Sequence, residues 1–176
     1  MMARLLVACV GNIFLSDDGF GVEVAATLAR EPLPPEAKLV DFGIRSVHLV
    51  YELLEGYDVL LVVDTVARQE GPPGSLHVIE PDVPERGSAP VDALPEVLLD
   101  PHDLSPGGVM ELLPTLGGVV GRILVVGCRP AVLDEGIGLS APVREAVEPA
   151  AALVREVVDH ELARLHAGAR VPGGGG

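Results

Sequence analysis

Basic side chains are scarce: 12 lysines and arginines stand against 26 aspartates and glutamates, for a net charge of −14. Nucleic-acid binding draws its affinity from clustered cations that neutralise backbone phosphates, so this balance excludes such a partner. Long hydrophobic runs are also missing. Each apolar run is far shorter than the ~20 residues of a spanning helix, which excludes a membrane partner. The first residues lack the basic region, apolar stretch and cleavage site of a secretory signal, and the expected location is cytoplasmic. Cysteine is limited to Cys9 and Cys128, each inside an apolar strand-like run and expected to be buried as a small hydrophobe. With no CxxC pair, a structural zinc site has no cysteine support. Sequence motifs are absent as well. There is no helical HExxH, no GxSxG elbow, no GxGxxG and no GxxxxGK[ST], which argues against zincin, serine-hydrolase and nucleotide-binding readings.

What is present is apolar material, 48% of the 176 residues, enough for one domain with a substantial core. Strand-like runs at 4–10, 38–42, 58–64, 75–80 and 123–128 are mostly separated by segments with helical spacing. That alternation predicts βαβ units and a three-layer α/β/α sandwich around a mostly parallel five-stranded sheet. The run at 75–80 follows 58–64 after only Gly71-Pro72-Pro73-Gly74, too short for a crossover helix, so one strand is expected to be antiparallel. Helices are expected after residue 20, over 47–54 with Ser46 as N-cap, and over 139–165, with Pro149 kinking or interrupting the last. Between Pro81 and Pro106 the pattern loosens into proline and acid without a sustained period. A long irregular stretch inside a compact domain is more often functional than accidental. Residues 1–168 are read as a single domain and 169–176 as a disordered glycine-rich tail.

The strongest site signal is the turn that follows the first apolar strand, Gly11-Asn12-Ile13-Phe14-Leu15-Ser16-Asp17-Asp18-Gly19-Phe20-Gly21. Two adjacent carboxylates repel unless a cation or a proton is near. Asp64 closes the run Val59-Leu60-Leu61-Val62-Val63, and Asp41 closes Lys38-Leu39-Val40. A single aspartate at a strand end is readily a cap or a turn residue. Three at successive strand ends, two of them flanking the switch point of a doubly wound sheet, point to a shared crevice. Among five histidines, His102 stands out because the irregular stretch ends with it, in Asp100-Pro101-His102-Asp103. His160 and His166 are expected on the solvated face of the last helix. Two carboxylates and an imidazole suit a borderline divalent ion such as zinc or nickel. Composition and spacing stop at an α/β domain with an acidic crevice able to bind metal. A small-ligand domain using the Gly11 turn for phosphate would need basic anchors, and that turn has acids.

In order along the chain, Val10-Gly11-Asn12 with Asp17-Asp18-Gly19 and Gly21, Asp41-Phe42-Gly43-Ile44-Arg45, Val63-Asp64, Pro101-His102, Gly127-Cys128-Arg129-Pro130 and Gly138-Leu139-Ser140 resemble the maturation endopeptidases of nickel-iron hydrogenases. The resemblance covers residues 4 to about 160. It implies a hydrolase of aspartic type that removes a C-terminal extension from the hydrogenase large-subunit precursor after nickel insertion. It further implies that Asp18, Asp64 and His102 recognise nickel; members of the family carry Glu or Asp at the first position, and Asp18 has the shorter reach with the same charge. The nickel arrives held by the substrate, so no tightly bound cofactor is expected in the resting enzyme. Asp17 is then the weaker ligand and orders the turn. No serine or cysteine nucleophile is implied, and Asp18 or Asp41 is expected to polarise the attacking water. The alternative is a nickel-dependent chaperone that binds the precursor without cutting it. Arg45 could grip the substrate tail. The chain is expected to act as a monomer.

Overall fold

The structure, a computed structural model, describes residues 4–44, 46–81 and 120–169. His102, Arg45, most of the stretch from Pro81 to Pro106, the helical segment expected near Ser105 and the tail from residue 170 lie outside the described residues.

Five strands form one sheet: β1 (Leu5–Val10), β2 (Ala37–Gly43), β3 (Tyr57–Thr65), β4 (Leu76–Ile79) and β5 (Val120–Cys128), in the order β2-β1-β3-β5-β4. Pairing is parallel except between β4 and β5, which run antiparallel with Leu76 opposite Cys128. No helix intervenes between β3 and β4, so β4 runs opposite to its predecessor, but its partner is β5, which separates it from β3. Three helices accompany the sheet: α1 (Phe20–Leu28), α2 (Ser46–Leu53) and α3 (Ala141–Ala169).

Every residue of β1 is buried, because the strand has a layer on each side. Leu5, Val7 and Cys9 pack with Phe20, Val24 and Leu28 of α1 and with Val143, Val154 and Val158 of α3. Leu6, Ala8 and Val10 point the other way, towards Leu49, Val50 and Leu53 of α2. The period-two alternation of one strand thus separates two cores and defines the three layers. Arg155 fastens α3 to the end of α1, donating to the carbonyls of Leu28 at 3.0 Å and Glu31 at 2.7 Å. Leu28 is the last residue of α1, whose final carbonyls lack intrahelical donors.

Pro149 does not interrupt α3, which runs unbroken from Ala141 to Ala169. Pro149 and Glu145, whose carbonyl loses its intrahelical donor, both lie on the exposed side, where water can replace the missing N–H.

From β1 the chain passes through α1 to β2 on one side, then crosses by α2 over the opposite face to β3 on the other. The carboxyl ends of β1 and β3 therefore flank a topological switch point, where a crevice opens. Gly21 lets α1 begin directly above both ends: a Cβ there would collide with the carbonyl oxygens of Val10 and Val63.

Candidate functional site

Past the end of β1 the chain makes a tight turn and a single 3₁₀ turn, Ser16–Gly19, before α1. Gly11 closes this turn on itself, since a Cβ there would strike the carbonyl of Asp18. Asp18 Oδ2 accepts from the Asn12 N–H at 3.0 Å, and Oδ1 accepts from the Thr65 hydroxyl at 3.2 Å. Asp64, at the end of β3, accepts from the Thr65 N–H at 2.7 Å. Thr65 thus donates to both carboxylates and joins the two strand ends. Burial pushes the Asp64 carboxyl up to about 7, against the Thr65 N–H that favours its charged form, and the negative charge of Asp18 raises it further. Two acids share one partly buried crevice.

The neighbouring Asp17 faces the opposite way. Although it lies in the same turn, Asp17 is fully buried. Its Oδ2 accepts from the N–H groups of Ala131 and Val132 and from the Ser140 hydroxyl at 2.8–2.9 Å, and its Oδ1 from the Ser140 N–H at 2.7 Å. Burial alone would raise its pKa, but these four donors outweigh desolvation and hold the carboxyl below its usual range. Asp17 binds the loop between β5 and α3 onto the acidic turn. Further backbone bonds complete the seam, from Ser16 N–H to the Gly136 carbonyl and from Gly136 N–H to the Phe14 carbonyl, each 2.9 Å.

Asp41 lies opposite Cys9 in the β1–β2 register, exposed, and its carboxylate accepts from the Gly43 N–H at 2.9 Å. No hydrogen bond joins it to Asp18 or Asp64. Both thiols are disabled. Burial, then the charge of Asp41, pushes Cys9 far above the thiol range, and burial with the charge of Asp17 pushes Cys128 to about 11. Neither supplies a thiolate nucleophile at neutral pH. His160 and His166 are exposed on α3, as expected of a solvated face. Among the described residues no group of three or more His, Cys, Asp or Glu side chains is arranged to hold a metal. The structure therefore brings together two of the expected ligands, Asp18 and Asp64. It adds Thr65, whose only sequence signal is a hydroxyl directly after a strand-end acid.

A three-layer α/β/α domain with acids at its switch point belongs to the class of α/β enzymes that work at the carboxyl ends of their strands. A family model described as hydrogenase maturation protease (HycI) matches residues 22–157, most of the chain, and the chain belongs to that family. It is 29% identical over 148 residues to the hydrogenase 2 maturation protease of Escherichia coli K12, covering 84% of this chain and 85% of that protein. The solved structure of the hydrogenase maturating endopeptidase HybD from E. coli superposes with a TM-score of 0.68 at 25% identity, over 90% of this chain and 93% of that one. A hydrogenase 2 maturation peptidase from Thaumarchaeota archaeon SCGC_AB-539-E09 gives 0.61 at 32% identity, over 88% and 97%.

Proposed function

We propose that the chain removes the C-terminal extension of a hydrogenase large-subunit precursor whose nickel is already in place, and that the nickel is read in the crevice between β1 and β3. The observation that carries this reading is the Asp18–Thr65–Asp64 arrangement: one carboxylate in the turn after β1 and one at the end of the adjacent β3, tied by one threonine. A divalent ion held by the precursor would displace the proton from Asp64 and relieve the repulsion from Asp18. His102 supplies the imidazole of an O,O,N set suited to nickel. With Asp18 engaged by the metal, Asp41 is the exposed carboxylate left to take a proton from the attacking water. Carboxylate chemistry of this aspartic type is favoured by the suppression of both thiols. Nickel comes and leaves with the substrate, and the enzyme works without a resident cofactor as a monomer in the cytoplasm. Among the described residues no helix is long and apolar enough to cross a membrane.

Incubation of the purified protein with nickel-loaded and nickel-free precursor tests this reading. Mass spectrometry should show loss of a C-terminal fragment from the loaded precursor alone, and neither His102→Ala nor Asp64→Ala should yield it. An unchanged mass in both wild-type samples would exclude the peptidase and favour the non-cutting chaperone.

Thr65 offers a finer test. Thr65→Val keeps the shape but removes the hydroxyl that holds Asp18, and processing should slow about tenfold, the lower range for losing a group that orients a metal ligand. Thr65→Ser restores the hydroxyl and should recover most of the rate. A valine variant as fast as wild type would show that Asp18 needs no such support.

A further inference from the structure

Nine large apolar side chains are exposed among the described residues, and six of them, Ile13, Phe14, Ile44, Val132, Leu133 and Ile137, sit on the loops that follow β1, β2 and β5. All three loops leave the carboxyl edge of the sheet, where Asp18 and Asp64 lie. Scattered apolar residues on a surface need no explanation, but a cluster at one edge marks an interaction site.

We propose that this rim is the surface on which the folded body of the large-subunit precursor docks, with Phe14 and Ile137 as its anchors. The proposal rests on the reading of the chain as a precursor protease. Three observations support it. Aromatic residues are scarce, and of three phenylalanines Phe20 and Phe42 are buried while Phe14 is 61% exposed. Aromatic side chains are enriched at the anchoring positions of protein interfaces. Secondly, the anchors are held rigidly. Ile137, 83% exposed, follows Gly136, which exchanges backbone hydrogen bonds with Phe14 and Ser16 and whose loop is bound by the buried Asp17 carboxylate. Fixing apolar side chains in water before the partner arrives lowers the ordering cost of binding. Finally, the rim is continuous with the crevice. Asn12 donates its N–H to Asp18 while its side-chain oxygen accepts from the Phe14 N–H at 2.9 Å, so Phe14 and Asp18 belong to one hydrogen-bonded turn. A second copy of this chain is a poor occupant, because each carries a net charge of −14 and the two repel.

Calorimetric titration of nickel-loaded large-subunit precursor into wild type, the Phe14→Ser/Ile137→Ser double variant and a Tyr51→Ser control on α2 tests the proposal. The double variant should bind about tenfold or more weakly. Its maximal cutting rate at saturating precursor should stay near wild type, and Tyr51→Ser should change neither. Thermal unfolding of the double variant should match wild type, and Phe14→Tyr, which keeps the ring, should bind as wild type does. Equal affinity of double variant and wild type, or equal weakening by Tyr51→Ser, would overturn the docking assignment. A wild type that binds precursor without cutting it sinks the protease reading while the affinities still decide the rim. A wild type that neither binds nor cuts sinks both. Sedimentation of a wild-type dimer that the double variant abolishes would assign the rim to a second copy and overturn the proposal.

Discussion

Asp17→Asn should be the most destabilising single change at this end of the molecule, lowering stability by about 3 kcal/mol or more although it exchanges one heavy atom. The buried carboxylate accepts from four donors and donates nothing. An amide turned either way must point its NH₂ at one of those N–H groups, leaving two donors face to face without an acceptor. A hydrogen bond to a charged group contributes about 1.5–3 kcal/mol, and an orphaned buried donor costs a further 1–3 kcal/mol or so. Against a total stability of roughly 5–15 kcal/mol, that is a large fraction. Urea denaturation at pH 7 would measure it as a lower midpoint with unchanged slope. Because the folded-state pKa of Asp17 lies below the unfolded value of 3.8, its contribution is fully present above that value and is lost as pH falls through the folded pKa. The gap between wild type and variant should therefore be constant from pH 5 upward and narrow in more acid solution. Asp18→Asn, next door and only partly buried, should change stability far less. A midpoint for Asp17→Asn equal to wild type would show that the loop between β5 and α3 is held by something else.

This contrast marks the limit of what the sequence makes legible. The sheet could be read in advance because continuous apolar runs such as Leu5–Val10 and Val59–Val63 have few alternatives to buried parallel strands, and the helix-free link through Gly71–Gly74 signals a reversal, although it does not show that β4 pairs with β5. Strand ends then locate the crevice by topology alone. Adjacent Asp17 and Asp18 have the same side chain but opposite fates, one bound into the core by donors more than 110 residues later and one turned to the crevice. Only the tertiary arrangement separates them, although the order-giving role expected of Asp17 has its counterpart in that geometry. Thr65 was missed for the same reason, since a threonine ending a strand looks ordinary until Asp18 arrives from the turn that follows another strand. Glu161 was missed too. Helical spacing places it beside exposed His160, yet it is buried against Arg164 at 2.9 Å and Arg122 at 3.5 Å. Pro149 shows the converse, a local rule relaxed because the carbonyl it strands faces water.

Asp64→Asn should produce an enzyme that is more stable than wild type above neutral pH and unable to process precursor. Burial and the charge of Asp18 raise the folded pKa of Asp64 from 3.8 to about 7, so the folded protein holds a proton that the unfolded chain releases between those values. The stability this proton provides is fully present below pH 3.8 and lost as pH rises through about 7. Asparagine resembles the protonated acid, keeps an oxygen to accept from the Thr65 N–H, and never ionises. At pH 8 it should therefore unfold with about 2–4 kcal/mol more stability than wild type, the upper figure being the whole shift at 1.36 kcal/mol per unit and the lower allowing for screening by water in the crevice. Thermal unfolding from pH 4 to pH 8 should show the two proteins converging at the acid end. A pH-independent gap, or a variant that melts below wild type at pH 8, would contradict the assignment of Asp64 as a carboxylate charged at the expense of the fold. Its loss of processing has the same origin, because the neutral amide cannot offer a divalent ion the charge that burial makes costly. Sites that hold uncompensated charge trade stability for function. Nickel-loaded precursor should accordingly raise the melting temperature of wild type at pH 8 more than that of Asp64→Asn, since only the wild-type carboxylate has repulsion for the ion to relieve.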